Sequence, residues 1–297
     1  MKTEIHIRAL TTNNVLPIDA ERFEFLKRLK NTLNEAFAIE EKYEIVVSNY
    51  LDLEEKAIKE PVSNIINDRT DHIDFFETIL ALNKRVLNLL TTVRLYNDQV
   101  ASHVAACTGD VDTKEHVKNA QKQEYDENVY YRFMEALRNH AQHYGAPVHR
   151  VSLGSRWDEE QDFLIYSLDL VSEKEKLELN KKFKKSILTE LGDQIHLLHA
   201  IRSYVESLSN IHSTVRDLID DDVEVSRFKI EEALSEYNEK FNNKKGPVVA
   251  YWYEDEVLKE QLLLSLNWDD VRKRVAKKNR KLTNLSKRYP SGVAHNN

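Results

Sequence analysis

Within six residues, Arg138 to His143, the chain carries an arginine, an asparagine and two histidines in the string RNHAQH. Histidine changes charge near neutrality and can both take and return a proton. Arginine stays charged and forks onto phosphate oxygens, steadying negative charge as it grows in a transition state. Asn139 stands four residues before His143, one helical turn away on the same face, where an amide can fix the imidazole tautomer or bind a ribose. Proton transfer beside a phosphodiester, without a metal, is the chemistry this set suits. Arg138 lies about 140° around a helix from His143, so one helix does not easily aim both at the same atom. The competing reading is a plain helix end, because Arg and His near a C-terminus complement the helix dipole with no site at all.

Other chemistries find less support. The glycines at 109, 145, 154, 192, 246 and 292 are isolated, so a phosphate loop, a dinucleotide fingerprint and a Gly-x-Ser-x-Gly elbow are all excluded. Asp193, His196 and His199 recur every three residues on an expected helix, with His212 beyond, and imidazole and carboxylate are zinc or iron ligands. No second helix offers the remaining ligands, so these histidines read as packed or surface residues, with no metal and no cofactor. Asp220–Asp222 read as a solvated loop favouring the start of a following helix. The lysines of NKKFKKS (180–186) read as a solvated face or a weak phosphate-steering patch.

The elements that must hold RNHAQH follow from periodicity. Thr3–Leu10 alternates, with Ile5, Ile7 and Ala9 on one side, as a strand does. Asp19 is an N-cap for a long helix carrying Phe23, Leu26, Leu29, Leu33, Phe37, Tyr43, Val47 and Leu51, closed by Pro61. Phe76, Ile79, Asn83, Val86, Leu90, Val93, Asn97, Val100 and Val104 then step by three and four. This is a heptad seam with two asparagines at core-type positions, suited to an antiparallel bundle or to an intermolecular coiled coil. A helix from about Val117 to Tyr144 carries the motif, buries Tyr130, Phe133, Leu137, Ala141 and Tyr144, and stops at Gly145 and Pro147. VHRVSL and FLIYSLDL form an antiparallel pair, which the N-terminal strand is free to join. Helix resumes near Ser172 and runs past Ile219, and NNKKGP marks a break before the final helix.

Composition agrees with a mainly helical protein. Six glycines and five prolines in 297 residues are too few for a turn-rich β fold. The single cysteine excludes a disulfide framework. MKTEIHIRAL lacks the apolar run of a signal peptide, and no segment reaches the roughly 18 apolar residues of a membrane span, so no membrane partner and a cytoplasmic location are expected. The net charge of −7 argues against a general nucleic-acid coat. Yet residues 271–297 hold nine basic side chains and no acid. Arg272, Lys273, Arg274, Lys277, Lys278, Arg280 and Lys281 are therefore candidates for RNA phosphate contacts, with a solvated helix end as the alternative.

Arg138-Asn139-x-x-x-His143, on a helix that follows long bundle helices, resembles the HEPN family. These are helical-bundle proteins, many of them metal-independent ribonucleases, whose motif is an arginine, a polar residue and a histidine four to six positions on. The resemblance covers about residues 18–147. It leaves out a β insert at about 148–171 and the C-terminal helices and basic tail at 172–297, all within one helical domain spanning 1–297, with a domain boundary near residue 147 as the alternative. It implies an up-and-down bundle, endoribonuclease activity through Arg138, Asn139 and His143, and a homodimer whose two motifs meet across the two-fold interface. A toxin or phage-defence role, RNA as substrate and an antitoxin or regulatory protein as partner are implied by the resemblance alone. Toxin-type members often place a tyrosine two residues after the histidine; here Gly145 stands there, with Tyr144 adjacent. His140 competes with His143 as the acid/base. The alternative of another class is a non-catalytic helical module that binds RNA or a protein.

Overall fold

Strand β1, Thr3–Ala9, buries Ile5, Ile7 and Ala9, as its alternation requires. In the computed structural model, which describes residues 3–67, 71–160, 162–242 and 246–290, β1 pairs antiparallel with β2 (Val15–Pro17) and β6 (Val248–Glu254), and β6 with β7 (Val257–Leu264). The expectation that β1 is free to join the strands after residue 147 is thereby corrected. So is the expectation that helix follows NNKKGP directly. The β6–β7 turn is Asp255-Glu256, both with positive φ, 48° and 68°. Tight two-residue hairpins need that geometry and normally announce it with glycine or asparagine, which is why this one was not legible.

Helix α1 spans Ala20–Asn67. Asp19 caps it, its Oδ1 accepting from Arg22 N at 2.8 Å. Pro61 lies inside the helix and does not close it. A proline removes one backbone bond, but here the neighbouring Glu60 is buried against α2 (His72–Thr108), where it accepts from Thr78 Oγ1 at 3.0 Å. The expected α1 stripe drifts: Leu51 is exposed, and Ile39, Val46, Tyr50 and Leu53 are buried. On α2, Val86, Leu90, Val93, Val100 and Val104 are core, but Phe76 is exposed. The two seam asparagines bond laterally. Asn83 takes both backbone groups of Val148, Oδ1 accepting from its N at 2.9 Å and Nδ2 donating to its O at 3.2 Å. Asn97 donates to Tyr131 Oη at 3.0 Å.

The helix expected over Val117–Tyr144 is two helices, α3 (Thr113–Glu127) and α4 (Val129–His143). Asn128 divides them. Its extended backbone breaks the first helix, and its side chain accepts from Tyr130 N and Tyr131 N to start the second, a strong N-cap. This break rotates the buried face of α4, which now holds Tyr131, Phe133, Met134, Leu137 and His140, while Tyr144 is exposed.

Strands β3 (Arg150–Asp158) and β4 (Phe163–Glu173) form the expected antiparallel pair, joined at its edge by β5 (Gln194–His196). Between β4 and β5 lie the short helices α5 (Lys174–Glu178) and α6 (Lys185–Thr189), where continuous helix was expected. Helix α7 runs from Leu197 to Phe241. Asp220–Asp222 lie inside it and not in a loop. The apolar row Ile211, Val215, Ile219, Val223 continues through them, leaving the three acids on the exposed side. Helix α8, Asn267–Lys278, carries most of the basic tail.

By its contacts the chain divides into two compact units. One comprises residues 1–41, 99–117 and 215–280; the other comprises 42–98, 118–214 and 281–297. The four-stranded sheet belongs to the first and the three-stranded sheet to the second. Among the described residues, no helix is long and apolar enough to cross a membrane.

Candidate functional site

The last two turns of α4 border a cleft of about 590 Å³. Arg138, Asn139, His140 and His143 all line it, and so do Glu135, Arg94, Tyr125, Tyr144 and the whole segment Leu179–Lys184. Glu135, Asn139 and His143 follow one another at four-residue steps, so they form a row along one face. Asn139 and His143 are exposed and Arg138 is half-buried. Arg138 and His143 both line this cleft, about 140° apart around the helix.

The segment Leu179–Lys184 connects α5 to α6 and is held by two side chains. Phe183, 5% exposed, packs its ring against those of Phe133 and His140 at 6.2 and 6.0 Å. Asn180 Oδ1 accepts from Lys182 N at 3.1 Å, and its Nδ2 lies 3.2 Å from His140 Nδ1. With these two anchored inward, Lys181, Lys182 and Lys184 are left along the cleft. Lys184 Nζ donates to Tyr125 Oη at 2.9 Å. Three lysines of the run read from sequence as a solvated face or a weak phosphate-steering patch thus line this cleft.

The electrostatics favour an anion. Arg94, Arg138, Lys181, Lys182 and Lys184 are five permanent cations against one lining carboxylate, Glu135. That carboxylate accepts from Tyr204 Oη at 2.5 Å. Arg94 is half-occupied by Asp98 at 2.7 Å. Arg138 Nη1 donates to Gln142 Oε1 at 2.9 Å, but its buried Nε has no acceptor among the described residues. A buried guanidinium N–H without an acceptor is costly. Burial lowers the pKa of His140 below the ordinary histidine value. His149, whose ring stands 6.2 Å from that of His140, is lowered by burial and by the charges of Lys176 and His140.

The remaining candidates lie elsewhere. Asp193, His196 and His199 do not share a helix. His196 ends β5 and pairs with Asp169 at 3.0 Å, His199 lies on α7 edge-on to Tyr130, and His212 is buried, stacked on Tyr43 at 3.7 Å. Among the described residues no group of three metal-ligating side chains gathers. On α8, Lys273, Arg274, Lys277 and Lys278 are exposed, as are Arg280 and Lys281 just beyond it. Arg272 is engaged internally, its Nε donating to the buried Asp269, which Arg227 also holds at 2.6 Å. Arg272 is therefore removed from the set available to phosphates.

No family model, no curated protein and no solved structure matches the chain.

Proposed function

We propose that this protein is a metal-independent endoribonuclease of HEPN type, with the cleft at the end of α4 as its active site. The observation that carries this reading is the gathering of Arg138, Asn139 and His143 on one cleft whose other wall is a row of lysines. RNA suits this reading as substrate because its own 2′-hydroxyl is a nucleophile that a histidine can activate. His143 takes the 2′-hydroxyl proton, the 2′-oxygen attacks phosphorus, and the bond to the 5′-oxygen breaks as a proton is returned to it. Arg138 binds the non-bridging oxygens, whose charge grows on the way to the phosphorane. Asn139 holds the ribose or the His143 ring. Lys181, Lys182 and Lys184 hold flanking phosphates, and the exposed ring of Tyr144 offers a surface on which a base stacks. The cytoplasm, a toxin or phage-defence role and an antitoxin-type regulator accompany this reading through the family resemblance.

The test is incubation of the purified protein with single-stranded RNA in EDTA, beside His143→Ala. The expected result is wild-type cleavage leaving 2′,3′-cyclic phosphate ends and loss of about 100-fold or more in the variant. Strict dependence on a divalent metal overturns the mechanism. Tight binding without cleavage turns the protein into an RNA-binding module.

A further inference from the structure

The cleft at the end of α4 adjoins a second cavity of about 310 Å³, and Arg94, Tyr125 and Glu135 line both. Beyond them the second cavity is lined by Asn97 and Asp98 of α2, Gln121 and Lys122 of α3, and Tyr131 of α4. Hydrogen bonds tie these helices together there. Asn97 Nδ2 donates to Tyr131 Oη at 3.0 Å, and Gln121 Nε2 donates to Asn97 O at 3.0 Å. Gln121 Oε1 is left without a donor among the described residues. Glu135 stands out in this setting. It is a half-buried carboxylate beside five cations, where it repels the phosphates that the lysines attract. Its Oε1 accepts from Tyr204 Oη at 2.5 Å, and Oε2 has no donor among the described residues. Asp98, the other acid of the second cavity, is already paired with Arg94 at 2.7 Å. A carboxylate only accepts, so Glu135 favours a ligand group that carries N–H donors and no negative charge.

Resting on the ribonuclease reading of the cleft, we propose that the second cavity is a guanine subsite and that Glu135 reads the base. Guanine alone among the four bases presents two adjacent donors, N1–H and the 2-amino group, on its Watson–Crick edge, and one carboxylate takes both. Adenine and cytosine set a ring-nitrogen lone pair beside their amino group, and that lone pair faces the carboxylate's own. Uracil offers a single N–H between two carbonyl oxygens. The rest of the lining suits guanine as well. Gln121 Oε1 is a further acceptor for the 2-amino group, and Arg94 and Lys122 are donors for O6. Position agrees. Glu135, Asn139 and His143 follow at four-residue steps on α4, and eight residues at 1.5 Å each put Glu135 about 12 Å along the helix from His143. A base held at Glu135 therefore belongs to a nucleotide close to the phosphate at His143.

Fluorescence anisotropy of the full chain with labelled 2′-deoxy hexamers tests the proposal, since without the 2′-hydroxyl binding is read apart from cleavage. The hexamers are uracil throughout, or carry one central guanine, hypoxanthine or adenine. Guanine is expected to bind about tenfold or more tighter than adenine. Hypoxanthine, which keeps N1–H and O6 but lacks the 2-amino group, is expected to fall between them. Glu135→Gln keeps an oxygen for Tyr204 Oη and replaces the carboxylate with an amide. In it the guanine preference is expected to vanish, with affinity for the all-uracil hexamer kept or raised and circular dichroism unchanged. The base comparison is made on the wild type, so it reports even where the variant folds poorly. Absence of binding, no preference for guanine, or a preference that survives Glu135→Gln overturns the subsite. RNA cleavage without regard to guanine overturns the subsite alone and leaves the catalytic reading standing. Guanine-selective binding without cleavage of RNA supports the subsite and removes the catalytic reading.

Discussion

Asn180 joins the lysine segment to the motif helix: its Nδ2 meets His140 Nδ1 at 3.2 Å while its Oδ1 holds Lys182 N at 3.1 Å. One side chain therefore fixes both the turn and its distance from α4. Asn180→Ala removes both bonds, at a cost of about 1–2 kcal/mol in stability. Freed lysines must be ordered again on binding, so RNA affinity is expected to fall several-fold at unchanged helicity. Fluorescence anisotropy with a labelled oligonucleotide, read beside a thermal melt, checks this. Unchanged affinity would show that the segment needs no anchor.

Burial of the same histidine makes stability depend on pH. In the folded chain His140 sits below the ordinary value because burial disfavours its charge, so between that depressed value and about 6.5 the unfolded chain binds more protons. Stability then rises with pH across this window and is lost as pH falls from 7 towards 5. Protonation also removes the lone pair on Nδ1 that the Asn180 amide faces. His140→Phe keeps a ring against Phe183 and abolishes the titration, so its melting temperature is expected to vary less between pH 7 and 5 than the wild type's. The dependence shrinks without vanishing, because His149 and His6 are lowered by burial in the same direction. A wild-type melting temperature flat over this range would contradict the assignment.

Two basic sets compete for RNA, and salt dependence separates them. If Lys181, Lys182 and Lys184 each hold a phosphate of a single strand, replacing all three with alanine lowers the slope of log affinity against log salt by about 2. Charge reversal of Lys273, Arg274 and Lys277 on α8 checks the tail in the same titration. An effect confined to the α8 variant would move the RNA-binding surface away from the cleft.

The sequence made some of this legible for reasons that can be named. Alternation exposed β1, whose Ile5, Ile7 and Ala9 are buried, and the β3–β4 pair as well, although no residue of β3 is buried. Asp19 was readable as a cap because capping is local chemistry. Asn128 is also a cap, yet it sits within a continuous helical pattern, and only its backbone conformation reveals the break. The split explains why Tyr144 was assigned to the core and His140 was not. Arg138, Asn139 and His143 were visible as a spaced motif. Asn180 and Phe183 were not, since their role is to pin a segment 40 residues away in sequence, and no periodicity encodes that. The lysines were seen and read as a solvated face, which is what charge runs usually are, or as a weak phosphate-steering patch.

Arg138 offers the sharpest separation of binding from chemistry. Its Nε is buried and Nη1 is turned to Gln142, so the guanidinium is partly held in place on the wall of the cleft. Lysine at this position keeps the positive charge but has neither the planar fork nor the Nε–H. Ground-state attraction for the RNA backbone is mostly a matter of charge, and the neighbouring lysines already supply it. The phosphorane differs from the ground state in the charge on its non-bridging oxygens, and that is where a fork is worth more than a point charge. Arg138→Lys is therefore expected to lower kcat about 100-fold while KM changes only a few-fold. Single-turnover cleavage with saturating protein isolates the chemical step. Equal loss in KM with kcat preserved would make Arg138 a binding residue and leave His143 without its electrostatic partner.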